Sequence, residues 1–227
     1  MLSVHAMTEE AIDEIFNQVQ PFTLTGAERI RAVVEAVEYL VANNIPGDFV
    51  ECGVWRGGSL MAALEALRRL GRTNRRVWLF DTFSGMTDPG TEDTSVFGEV
   101  ASEMQNEFRQ KGEKWCFASL ADVQANLNSI GYPEELLKFV VGTVEETLTR
   151  ETPSEIALLR LDTDWYTSTK LELDVLYPKL VKKGILIIDD YGHWRGAKRA
   201  VDEFFAAQEY RPLLNRVDYT CRLVVKL

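Results

Sequence analysis

Two histidines and three cysteines in 227 residues leave little material for soft-metal or thiol chemistry. Cys52, Cys116 and Cys221 are far apart, odd in number and form no C-x-x-C pair. That argues against a disulfide framework or a zinc site and for a reducing cytoplasm, with the thiols acting as small buried hydrophobes. No apolar run approaches the roughly 20 residues that span a bilayer. The N-terminus, MLSVHAMTEEAIDEIF, is acidic and lacks the apolar core of a signal peptide. Its His5 reads as exposed tail. Basic charge is also short: 25 Lys and Arg stand against 35 Asp and Glu, a net charge of -10 with no long basic block. This balance argues against nucleic acid and against an anionic membrane as partners. The expectation is a soluble, cytoplasmic protein. A 46% hydrophobic content over this length suits one domain with a full core.

What is present is a rhythm of strands and helices. Residues 8–20 and 25–43 carry helical spacing, the second with Thr25 and Glu28 in capping-box register. Strand-like runs follow at 48–54, 76–81, 138–142, 156–162 and 184–190, with two more near 211–217 and 220–226. Helical stretches fall near 59–70, 119–130, 167–181 and 195–208. Residues 82–115 form a long, glycine-punctuated excursion with one helix near 99–111, and excursions of that length are usually functional. Apolar strands alternating with helices predict an α/β fold, a doubly wound and mostly parallel sheet covered on both faces. Residues 1–46 read as a helical N-terminal extension and 47–227 as a single Rossmann-like core.

The first turn of that core, FVECGVWRGGSL, places Glu51, Cys52 and Gly53 at a strand end, then Gly57, Gly58 and Ser59 at a helix start. Glycine permits both a tight turn and the close approach of a ligand. The E-x-G-x-x-x-G spacing differs from the dinucleotide G-x-G-x-x-G and suits S-adenosylmethionine better than NAD, because no pyrophosphate has to be cradled. Asp81 ends the next strand, where an acidic residue can hold two ribose hydroxyls. The bland alternative is that these glycines only close turns.

The stretch ILIIDDYG runs four apolar residues into Asp189 and Asp190, and the preceding strand ends in LRLDTDWY with Asp162 and Asp164. If the two strands are neighbours, their axes lie about 4.8 Å apart and the carboxylates crowd one small volume. A hard divalent cation, Mg2+ or Mn2+, resolves that crowding with oxygen ligands. The competing expectation is that these aspartates cap the helices beginning near Thr167 and Arg195. His193, three residues past the acidic pair, is a second candidate for proton transfer. Trp55, Trp165, Tyr166 and Trp194 are expected either to line a pocket or to fill the core, and Tyr191 is a candidate for the acceptor site.

In VECGVWRGGSL, WLFDTFSGM, WCFASLADVQANL, VVGTVEETL, LRLDTDWYTST and GILIIDDYGHWRGAKRAVDEFF the sequence resembles the macrocin O-methyltransferase family. The segments run from about residue 48 to 205, and their combination and order are more specific than any one of them. The resemblance implies the class I methyltransferase sheet, seven strands with an antiparallel one in the last pair. It also implies S-adenosylmethionine as methyl donor, a divalent ion and a sugar hydroxyl as acceptor. It assigns the metal to Asp162, Asp189 and Asp190 and the general base to Asp164. Cofactor contacts go to the Glu51–Gly53 turn and to Asp81 with Ser84, extending to Ser119 and Asp122. A small glycoside acceptor and a homo-oligomer are further implications. The rival readings are catechol-type O-methylation, metal-dependent hydrolysis, and a non-catalytic binding module on the same fold.

Overall fold

The computed structural model describes residues 6–227, so His5 lies outside the described residues. Helix α1 (Glu9–Val19) is capped by Thr8, whose hydroxyl accepts the Ala11 N–H at 3.2 Å. Helix α2 (Ala27–Ala42) begins on Gly26 with no side-chain cap. The capping box expected of Thr25 is absent because its hydroxyl is paired with that of Thr23 at 2.9 Å. Helix α2 buries Ile30, Val33, Val34, Val37 and Leu40 in the same core cluster as α3 (Gly58–Arg69) and the sheet. At roughly 1.5–3 kcal/mol for each fully buried side chain, the N-terminal segment is a structural layer and not an appendage.

Seven strands form one sheet in the order β3-β2-β1-β4-β5-β7-β6. They are β1 (Asp48–Cys52), β2 (Val77–Asp81), β3 (Leu137–Val141), β4 (Ile156–Leu161), β5 (Leu180–Ile188), β6 (Asn215–Arg216) and β7 (Arg222–Val225). The first five run parallel, and β7 pairs antiparallel with both β5 and β6. Alternate residues of each strand point to opposite faces. Leu158, Ile185 and Ile187 meet α1, α2, α3 and α5 (Leu120–Asn128). Leu159, Leu161, Leu186 and Ile188 meet α6 (Val144–Thr147), α7 (Tyr166–Leu176) and α8 (Arg195–Ala206). Both faces are covered, which is why these strands read as continuous apolar runs.

Two boundaries differ from expectation, and one element, α6, was not anticipated. Helix α7 stops at Leu176 and passes through a short 3-10 turn at Tyr177–Lys179, because Pro178 cannot continue an α-helix. Strand β5 therefore starts at Leu180, four residues early. The single turn of α6, opened by Thr143 capping the Glu146 N–H, is too short to leave a periodic signal.

The excursion between β2 and β3 carries α4 (Ala101–Gln110) and is pinned to the core. Buried Asp93 accepts N–H bonds from Gly90 at 2.7 Å and from Tyr166 at 2.9 Å, so it caps α7 from a distance. Ser95 pairs with Trp194 in an isolated bridge. Trp115, Trp165 and Trp194 pack edge to face with centroids 5.1–6.2 Å apart, closing that side of the cavity.

Candidate active site

The register of β4 and β5 sets the site. Leu161 lies beside Ile188, so the next residues, Asp162 and Asp189, leave the sheet side by side. The Asp189 N–H donates to Leu161 O at 2.9 Å, and the Asp162 N–H to Cys52 O at 2.9 Å. All three strand ends open into a cavity of about 380 Å³ at the carboxyl end of the sheet, where doubly wound folds place their ligands.

The glycine turn forms one end. A Cβ on Gly53 would stand 1.9 Å from the Asp162 carbonyl oxygen, and the residue has φ +81°. Glycine is thus the only residue that lets the β1 turn pass against the β4 end. Asp81 ties this turn to the next loop. Its Oδ2 accepts the N–H groups of Val54 at 2.6 Å and Trp55 at 3.0 Å, and its Oδ1 accepts Phe83 N–H at 2.7 Å. The Thr82 hydroxyl also reaches Oδ1, at 3.5 Å, a long contact that a ligand at Asp81 would replace. Glu51, Gly53, Trp55, Gly58, Ser59 and Asp81 line the cavity.

Other expected cofactor residues sit elsewhere. Cys52 points to the opposite face and is buried in the second core cluster, where burial raises its thiol pKa well above the usual value. Gly57 turns the chain at φ +90° toward Val123 and Leu127. Ser84 is exposed, with its N–H on the Thr82 hydroxyl. Ser119 caps α5 by accepting the Asp122 N–H at 3.2 Å, and its own hydroxyl donates to Asp122 Oδ2 at 2.6 Å. None of these four positions, nor Asp122, is among the cavity-lining residues. Tyr191 is likewise outside the lining, its hydroxyl bonded to Asp202.

The other end of the cavity is acidic. One carboxylate oxygen from each of Asp162, Asp189 and Asp190 lies within 4.8 Å of the others. That is a set of hard oxygen donors that fits a divalent cation. The helix-cap alternative fails: Trp165 and Trp194 occupy the N-cap positions of α7 and α8 with no cap bond of their own, and the side chain that caps α7 is that of Asp93. Arginines missed in the sequence stand beside these acids. Arg160, buried on β4, bonds Glu51, Asp162 at 2.7 Å and Asp189 at 2.7 Å. Arg29 of α2 reaches Asp189 at 2.5 Å and Asp218 at 2.7 Å. Asp189 is therefore partnered, in the first instance, by two guanidiniums, while Asp190 Oδ2 accepts the Asp164 N–H at 3.2 Å. The one local signal for Arg160 is a lone charge inside the apolar run of β4, and nothing local signalled Arg29.

Two guanidiniums against six carboxyls (Glu51, Asp162, Asp164, Asp189, Asp190 and Asp218) leave excess negative charge. Burial and the neighbouring acids raise the Asp162 and Asp190 pKa values well above the usual carboxylate range, against the pull of Arg160. Burial also pushes Asp164 up to about 7, opposed by its hydrogen bonds to Asp190 and Trp194. Glu51 rises to about 7, again through burial against Arg160. Among the described residues, Glu51 Oε2 and Glu172 Oε2 are buried oxygens without a partner. Trp55, Cys116 and Asp164 line the cavity with φ of 47°, 47° and 66°. Such left-handed non-glycine residues gather at functional sites. His193 also lines the cavity, its Nδ1 3.3 Å from the Tyr219 hydroxyl and its pKa lowered by burial.

With this geometry in place, comparison with known proteins is decisive. A family model for macrocin-O-methyltransferases (TylF) matches residues 10–226. The chain belongs to the macrocin-O-methyltransferase family. It is 33% identical over 196 residues to demethyldecarbamoylnovobiocin O-methyltransferase of Streptomyces niveus, covering 86% of this chain and 72% of that one. It is 32% identical over 169 residues to mycinamicin III 3''-O-methyltransferase of Micromonospora griseorubida, covering 74% and 65%. The solved structure of the O-methyltransferase NovP aligns at 31% identity with a TM-score of 0.78, over 90% of this chain and 82% of that one. The S-adenosylhomocysteine-bound methyltransferase PaMTH1 of Podospora anserina shares the fold at 16% identity, with a TM-score of 0.58 over 98% and 90% of the chains. The family member described here is an enzyme, an S-adenosylmethionine-dependent O-methyltransferase on the class I sheet. Among the described residues, no helix is long and apolar enough to cross a membrane.

Proposed function

We propose that this enzyme methylates a hydroxyl of a sugar carried by a glycosylated natural product, with a divalent ion held by Asp162, Asp189 and Asp190. The observation that carries the reading is the joining, in one cavity, of a glycine turn suited to a nucleoside and a three-carboxylate oxygen cluster. The acceptor reading draws on the names of relatives, O-methyltransferases of demethyldecarbamoylnovobiocin and of the 3'' position of mycinamicin III.

S-adenosylmethionine supplies an electrophilic methyl group on a sulfonium. The ion, Mg2+ or Mn2+, supplies positive charge that acidifies an acceptor hydroxyl. Everything else falls to the chain. The Glu51–Gly53 turn and Asp81 hold the nucleoside end. Asp164 lies two residues beyond Asp162, its N–H donating to Asp190 Oδ2 at 3.2 Å, and its carboxyl takes the acceptor proton. Trp165 and Trp194 exclude water from that side. Alignment of the reacting groups accounts for roughly 7–11 kcal/mol of barrier in such reactions. His193, on the wall and bonded to Tyr219, is the second candidate base.

The test is transfer of a labelled methyl group from S-adenosylmethionine to a panel of glycosides and catechols, with and without EDTA. Transfer to glycosides, abolished by EDTA and restored by Mg2+, is the expected result. Preference for catechols would replace the sugar with an aromatic diol, and EDTA-insensitive transfer would remove the ion from the account.

A further inference from the structure

Asp189 is gripped at both oxygens. Arg160 Nη2 donates to Oδ1 at 2.7 Å and Arg29 Nη1 donates to Oδ2 at 2.5 Å. Arg29 is itself fixed, because its Nε donates to Asp218 Oδ2 at 2.7 Å. Asp218 Oδ1 accepts the N–H groups of Thr220 at 2.9 Å and Cys221 at 2.7 Å. The Thr220 hydroxyl closes the ring by donating to the Asp189 carbonyl at 2.5 Å. A chain of bonds thus runs from α2 to the end of β5, through the turn before β7, and back to α2.

We propose that Arg29 is a positioning residue for the cation site, fixing the plane of the Asp189 carboxylate so that it can share an ion with Asp162 and Asp190. This rests on the metal reading above. Each carboxylate oxygen has about two acceptor positions, so an oxygen holding one guanidinium N–H keeps one free for an ion. A mere counter-charge needs no fixed orientation, yet Arg29 is locked by Asp218 and by the backbone bonds that hold Asp218. Partners that orient a metal ligand in this way typically contribute 10–100-fold to metal affinity.

The two roles predict opposite signs. Coulomb's law alone makes removal of a nearby positive charge strengthen cation binding. Loss of orientation makes it weaken. The experiment is an electron paramagnetic resonance titration of Mn2+ into S-adenosylhomocysteine-saturated protein, comparing wild type, Arg29→Met and Asp218→Asn. Asp218 is outside the cavity lining, so its substitution loosens Arg29 without touching the ligands. We expect Arg29→Met to weaken Mn2+ binding about tenfold or more, and Asp218→Asn to weaken it in the same direction by less. S-adenosylhomocysteine affinity and cooperative melting should be retained. Unchanged or tighter Mn2+ binding in a folded Arg29→Met overturns the assignment. If Arg29→Met fails to fold, unchanged binding in Asp218→Asn overturns it equally. A wild type that takes up no Mn2+ sinks the metal reading itself and this assignment with it, an outcome distinct from a wild type that binds while the variants do not differ.

Discussion

At the proposed nucleoside end of the cavity one carboxylate, Asp81, serves three backbone N–H groups from two adjacent loops. At the other end, the acids of β4 and β5 share guanidiniums that arrive from 160 and 29 residues away in sequence. The first end is a backbone device that a ligand joins with little change in charge. The second is a charge device, holding more negative groups than its arginines neutralise, and it is the end suited to a cation. The difference predicts that substitutions at the two ends fail differently: one in nucleoside affinity, the other in metal affinity, turnover and stability.

The largest effect should come from Asp164→Asn, which removes the proposed base while keeping the side chain's size. Single-turnover rates should fall by roughly 10²–10⁴-fold, with S-adenosylhomocysteine and Mg2+ binding preserved by calorimetry. A normal rate would move the role to His193. Next, Arg160→Met leaves buried Glu51 and Asp189 and half-buried Asp162 without their shared guanidinium. Breaking a buried pair in this way costs about 3–5 kcal/mol, to be read from urea unfolding, and a loss below 1 kcal/mol would mean the acids are not held by Arg160. Asp81→Ala strands three backbone donors at the other end, so S-adenosylhomocysteine binding should weaken while Mg2+ affinity stays close to wild type. Equal weakening of both would erase the distinction between the ends.

The smallest effect concerns Glu172, on α7 beneath the site, where it accepts the Thr163 hydroxyl at 2.9 Å. Burial raises its pKa from 4.5 to about 8. The folded state therefore holds the proton more tightly than the unfolded one. The stability this contributes is fully present below about pH 4.5 and is lost as pH rises through about 8. Glu172→Gln, neutral at every pH, should flatten the decline in melting temperature between pH 5 and 8. An unchanged slope would show that Glu172 is not the group responsible.

Much of the fold was legible because it is written locally. The apolar runs of β1, β2, β4 and β5 and the helical spacing of α1, α2 and α8 each lie within one segment. The acidic strand ends were legible too, since parallel neighbours bring Asp162 beside Asp189 once their strands pair. What escaped was decided by competing partners, some a few residues away and one far along the chain. Thr25 fits a capping box by spacing, but Thr23 takes its hydroxyl. Cys52 follows Glu51 in the glycine turn, yet alternation along β1 sends it to the other face of the sheet. Ser119 and Asp122 match a family segment, but here they cap a helix with each other. Arg29 sits in an ordinary amphipathic helix and acquires its role only when α2 packs beside the ends of β5 and β7.

The most direct test of the account is a calorimetric titration of Mg2+ into S-adenosylhomocysteine-saturated wild type and Asp190→Asn. The account predicts one bound ion in wild type, lost in the variant, with nucleoside affinity equal in both. Equal Mg2+ binding by the two proteins would contradict it and place the cation elsewhere.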